Sequence, residues 1–126
     1  MTSGDLTKLS QSYFHALDHK NLVSLGNLLT DQCALIIETH DLRYSGKAEI
    51  LELFRSRWEN SKISAVHHNF KHIVDVPAKC IVTTFKVTYS GPGAPPVKSN
   101  ANIFHIQNRL ISTIQIYMAG ANTVQS

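Results

Sequence analysis

The sequence predicts an α+β fold in which three N-terminal helices pack on a curved, mostly antiparallel sheet. Two observations carry this. Through the first half, apolar residues recur at three- and four-residue steps, the period of helices with one buried face. From Ile63 onward the chain reads as β-branched and aromatic runs broken by turn residues, the pattern of strands. Helices first and strands afterwards indicate segregated layers rather than alternating βαβ units. A sheet strongly curved around helices leaves a cone-shaped barrel, open at one end and lined by side chains of both layers, and such a hollow is where a site is expected.

The elements follow in order. Leu6, Leu9, Tyr13 and Ala16/Leu17 share one helical face, with Thr2 or Ser3 as N-cap and Asp5 in the first turn, where the helix dipole favours an acid. Asn21 reads as a fresh N-cap for a short helix carrying Leu22, Leu25, Leu28 and Leu29. Thr30-Asp31 reads as a stop, and Cys33 to Ile37 as a buried strand too short for a helix. Ser45-Gly46 opens a third helix with the stripe Ile50, Leu51, Phe54 and Trp58. Strands are expected over Ile63–Val76 and Cys80–Tyr89, joined by Pro77-Ala78. In the second of these Ile81, Thr83, Phe85, Val87 and Tyr89 alternate against Thr84, Lys86 and Thr88, as in a sheet with one wet face. After the loop Ser90–Pro96, a last hairpin spans Val97–Ile106 and Leu110–Met118 around Gln107-Asn108-Arg109.

Composition narrows the class. The 126 residues make one domain, 1–126, with residues 1–4 and 120–126 expected to fray. A chain 43% hydrophobic and 17% charged is globular. Its longest apolar run, Cys33 to Ile37, falls far short of the ~20 residues a bilayer span needs. Met1 to Asp5 contains no apolar leader segment, and Cys33 and Cys80 lie in apolar stretches suited to a reducing compartment, so a soluble, cytoplasmic domain without membrane contact is expected. The net charge of +3 is scattered over the chain, and no basic face with stacking aromatics marks a nucleic-acid binder.

Four stretches in sequence, Ser12–Leu22, Leu28–Asp31, Tyr44–Ile50 and Val66–Phe70, resemble the nuclear transport factor 2-like superfamily. The likeness is to its SnoaL-like, scytalone-dehydratase-like and ketosteroid-isomerase-like branch and runs over Leu6 to Met118. The resemblance implies a cone that takes a hydrophobic carbonyl compound and either isomerises, dehydrates or cyclises it without a cofactor, or serves as a non-catalytic ligand-binding or dimerisation module. It places Asp18 and His68 at the positions of that branch's carboxylate and imidazole. Where the ketosteroid isomerase pattern has its base, this chain has Ile37, with Glu38 one step out of phase.

The residues themselves support candidate chemistry. A carboxylate bonded to one imidazole nitrogen sets the tautomer and leaves the other nitrogen to move a proton; Asp18 and His68 are the expected pair, the plainer alternative being a helix cap and a core histidine. If the segment is a regular strand, His68, Phe70 and His72 share its inner face. His68 and His72 then stand ~13 Å apart at ~3.3 Å per residue, too far to share a metal. His15 and His19 are one helical turn apart without a third ligand, and no metal is expected. Tyr13 lies on the inner stripe and Asn102 is an amide in phase with Phe104 and Ile106; the resemblance to the isomerase pattern implies that they are donors to a developing oxyanion, the plainer alternative for Tyr13 being an ordinary core tyrosine. Phe70, His72, Phe54, Trp58, Phe104 and Met118 are the expected substrate-contacting walls. Lys86, Thr88 and Tyr117 on the outer sheet face suggest pairing into a homodimer.

Overall fold

A computed structural model of the chain describes residues 1–124. Helix α1 (Ser3–Asp18) is followed by α2 (Leu22–Gly26), strand β1 (Leu29–Ile37), a single 3-10 turn (Glu38–His40), β2 (Leu42–Ser45) and α3 (Lys47–Asn60). The long strands β3 (Ser64–Asp75), β4 (Cys80–Ser90), β5 (Lys98–Gln107) and β6 (Leu110–Tyr117) complete the chain. The six strands form one open sheet in the order β2-β1-β6-β5-β4-β3. All neighbours are antiparallel except β1 and β6. The three helices cover one face of this curved sheet, which is the α+β cone expected. No helix among the described residues is long and apolar enough to cross a membrane.

Local chemistry explains the helix starts. Thr2 and Asp5 form a reciprocal capping box, the threonine hydroxyl accepting from the Asp5 amide and the carboxylate accepting from the Thr2 amide. The Asn21 side chain accepts from the Ser24 amide and starts α2. Gly46 precedes α3 at φ 94, a conformation that leaves the cap without a side-chain acceptor. Between β5 and β6, Asn108 and Arg109 both hold positive φ, 53 and 63, the pair of left-handed residues that a two-residue hairpin loop with the right twist requires.

The core lies between α1, α3 and the inner face of the sheet. Leu6, Leu25, Leu35, Ile50, Ile81 and Phe104 are fully sealed, and Tyr13 meets both Phe14 and Phe104 edge to face at 5.1 Å. Cys33 is buried here as a free thiol, and burial pushes its pKa up to about 12.

Two expectations are corrected. Thr30-Asp31 does not stop the chain: it lies inside β1, where exposed Asp31 faces Lys47 at 3.5 Å. Strand β2 was not expected; too short to show alternation, it exists because its backbone pairs with Ala34–Ile37 at the sheet edge. Ser3 and Gly4 belong to capped α1, and the tail is tied down by Lys98 Nζ donating to the Ala121 carbonyl and by Tyr89 bonding Thr123. Gln125 and Ser126 lie outside the described residues.

Candidate functional site

The site is decided by one irregularity in β3. Between His68 and Lys71 the strand advances three residues while its partner β4 advances two, from Lys86 to Thr84. The extra residue is a bulge, and Asn69 absorbs it at φ 57, a left-handed conformation that asparagine tolerates better than most. A bulge reverses the side-chain phase. Beyond it Phe70, His72 and Val74 face the core, as expected. Before it the inward side chain is His67, and the strand's outer side carries exposed Val66 together with His68.

Asp18, the last residue of α1, therefore meets His67. Its Oδ1 accepts from His67 Nδ1 at 2.5 Å, and both oxygens accept from the His67 backbone amide at 3.2 Å. The two side chains are 18% and 14% exposed. The expected partner, His68, lies on the other face, where its Nε2 bonds the Thr88 hydroxyl at 2.7 Å and Nδ1 contacts Asn69. The Asp18–His68 pairing is thus corrected to Asp18–His67, because the bulge breaks the regular alternation on which that pairing rested. The signal in the sequence was Asn69 itself, a residue prone to positive φ inside an otherwise regular run.

The His67 ring packs between Phe14 (5.0 Å between centroids) and Phe85 (5.4 Å). With Nδ1–H committed to the carboxylate, Nε2 has no protein partner among the described residues. It stands at the wall of a cavity of about 50 Å³, shared with Tyr13, Asn102, Phe54 and Met118. No Asp, Glu, Lys or Arg lines this chamber. Asn102 is 2% exposed and its Oδ1 has no hydrogen-bond partner among the described residues, an uncommon arrangement for a buried amide. Burial raises the pKa of Tyr13, so its hydroxyl stays protonated and able to donate. Tyr89, Asn100 and the tail residues Thr123 and Val124 also line the chamber. None of these four was among the expected site residues; Thr123 and Val124 could not be, because tail docking is a tertiary contact with no periodic signal.

The remaining candidates divide. Phe54 faces the chamber, and Trp58 borders a second, outer space that again contains His67. Phe104 is sealed in the core beside Tyr13 and borders neither space. Phe70 and His72 stack on each other at 6.1 Å on the sheet's inner side, also away from the two spaces. His72 instead ends a buried chain in which Ser10 bonds Thr83 at 2.7 Å and Thr83 bonds His72 Nδ1 at 3.0 Å. His72 Nε2 has no partner among the described residues, and burial lowers the pKa of the ring. Glu38 points away from the cone, accepting from Gln115, whereas Ile37 is fully buried. His15 and His19 stack at 4.1 Å, with His19 Nδ1 donating to the His15 carbonyl. Among the described residues no group of three or more His, Cys, Asp or Glu is placed to hold a metal.

Comparison with known proteins places this geometry in a fold. No family model matches the sequence, and no curated protein matches it either. Solved structures do match. A candidate ketosteroid isomerase from Kribbella flavida is similar over 94% of this chain and 81% of its own, with TM-score 0.77 and 13% identity. A candidate polyketide cyclase from Xanthomonas campestris covers 90% of each chain with TM-score 0.77 and 14% identity. An LEH-like epoxide hydrolase from M. tuberculosis is similar over 92% of this chain and 84% of its own, with TM-score 0.78 and 13% identity. The chain has the nuclear transport factor 2-like fold.

Proposed function

We propose that this chain binds a hydrophobic carbonyl compound in its cone and moves a proton on it without a cofactor, as an isomerase, dehydratase or cyclase. The observation that carries the reading is the Asp18–His67 pair, with Nε2 of the imidazole unpartnered at the wall of the chamber that also holds Asn102. Asp18 orients the ring and fixes its tautomer; Nε2 takes the proton alpha to the carbonyl and returns it elsewhere on the skeleton. The enolate oxygen that develops needs donors held in place beforehand, and the Asn102 amide Nδ2 and the Tyr13 hydroxyl, both on residues lining the chamber, are the groups assigned to it. The names of similar structures, a candidate ketosteroid isomerase and a candidate polyketide cyclase, agree with this class.

A second reading, a non-catalytic ligand-binding module, is favoured by the chamber's small volume of about 50 Å³ under the docked tail. One experiment separates the two. Cyclohex-3-enone in deuterium oxide is followed by proton NMR for exchange at its α-carbons and by absorbance for conversion to the conjugated enone. The catalytic reading expects exchange well above that of free imidazole, abolished in His67→Gln and retained in His68→Gln. Exchange that survives in His67→Gln, or wild-type exchange no faster than free imidazole, refutes it in favour of the module.

A further inference from the structure

The cone has a second chamber, of about 80 Å³, beside the first on the side of Lys20 and Trp58. His67 and Tyr89 belong to both chambers, so the two are consecutive parts of one hollow. Their chemistry differs. The inner chamber has no charged lining beyond His67, whereas the outer one carries two cations, Lys20 and Arg57, and no carboxylate. Arg57 is half-buried, and its guanidinium makes no hydrogen bond or ion pair among the described residues. On the same helix Arg55 is gripped by both Glu52 and Glu59. Lys20, in a left-handed conformation just past α1 (φ 51), donates only to the Ser64 hydroxyl at 3.3 Å. Asp18, the carboxylate bonded to a wall residue, is already taken by His67. Trp58 and Phe54 supply an apolar wall beside the two cations.

Two cations without a counter-charge beside an apolar wall match an anionic head joined to an apolar body. We infer that the outer chamber is an anion subsite, in which Arg57 and Lys20 hold the carboxylate of a small amphipathic oxo acid while its apolar stem lies along Phe54 and Trp58. A carboxylate fits better than a phosphate monoester, because the remaining walls are mainly apolar and, besides His67, only the Tyr89 and Thr123 hydroxyls, which bond each other, supplement the cations. The inference rests on the proposed acid-base role of His67 only for where the reacting carbonyl sits; the subsite itself stands on charge and shape.

Trp58 is the chain's single tryptophan, so its fluorescence reports occupancy of this chamber whether or not turnover occurs. Hexanoate and hexan-1-ol, alike in stem and different in head, are titrated at constant ionic strength, with calorimetry as a second readout. Hexanoate is expected to bind about tenfold tighter than the alcohol, the order of one charge-assisted hydrogen bond. Arg57→Leu and Lys20→Met should each remove most of that preference while leaving hexanol binding and the melting curve unchanged, and Arg57→Lys should keep part of it. Equal affinity for acid and alcohol, a hexanoate affinity indifferent to both substitutions, or no hexanoate binding below about 10 mM overturns the subsite. Tighter binding of butyl phosphate than of hexanoate overturns the choice of carboxylate. The two proposals fail separately: loss of proton exchange with a surviving Arg57-dependent preference refutes the chemistry alone, and the reverse refutes the subsite alone.

Discussion

Replacing Asp18 by alanine tests the pairing on which the site depends. The carboxylate satisfies two donors of β3, the His67 backbone amide and its Nδ1–H, at a place where the side chains are only 14% and 18% exposed. A buried donor left without an acceptor costs about 1–3 kcal/mol. Neither group is fully sealed, so the lower half of that range applies to each, and the sum is roughly 2–4 kcal/mol. For a domain of this length, that lowers the melting temperature by about 8–16 °C. Thermal and urea unfolding of Asp18→Ala, His67→Ala and the double variant close a cycle, expected to return a coupling of about 1.5–3 kcal/mol for a charge-assisted bond. His68→Ala is the control: its ring is bonded only on the outer sheet face, and its removal should stay within about 0.5 kcal/mol. A coupling near zero, or a larger loss from His68→Ala than from His67→Ala, refutes the reversed phase of β3 and with it the site.

Two further outcomes follow from buried polar groups. His72 has its pKa lowered by burial, and a protonated ring would place a second N–H where Nε2 has no acceptor. The unfolded chain therefore binds the proton first, and stability should fall as pH drops below the unfolded value of about 6.5 toward the lower folded one; pH-resolved melting of His72→Asn should show a flatter slope in that window, and an identical slope sinks the assignment. Asn102→Leu removes a buried, unpartnered amide oxygen and should leave stability unchanged or raise it by roughly 1 kcal/mol while lowering α-proton exchange. A marked fall in melting temperature shows instead that the amide is paired in solution.

Much of the architecture was legible in local chemistry. The Thr2 and Asn21 caps, the stripe of α1, the alternation along β4 and the turn residues at Pro77-Ala78 and Asn108-Arg109 each act within a few residues, and the expected limits of β3 to β6 fall within one residue of those observed. The presence of Tyr13 and Asn102 on inward faces was legible for the same reason, since helical and strand periods carry over between turns, whereas Asp18 was singled out by the resemblance. Three things were decided only by tertiary contact. Strand β2 exists because β1 offers it an edge. The tail closes the cone because Tyr89 and Lys98 hold it there. The choice of His67 over His68 came from the bulge at Asn69. In a strand of period two, a single inserted residue exchanges the two faces for everything on one side of it, so adjacent histidines carry equal local signals and only the partner strand settles which one enters the hollow.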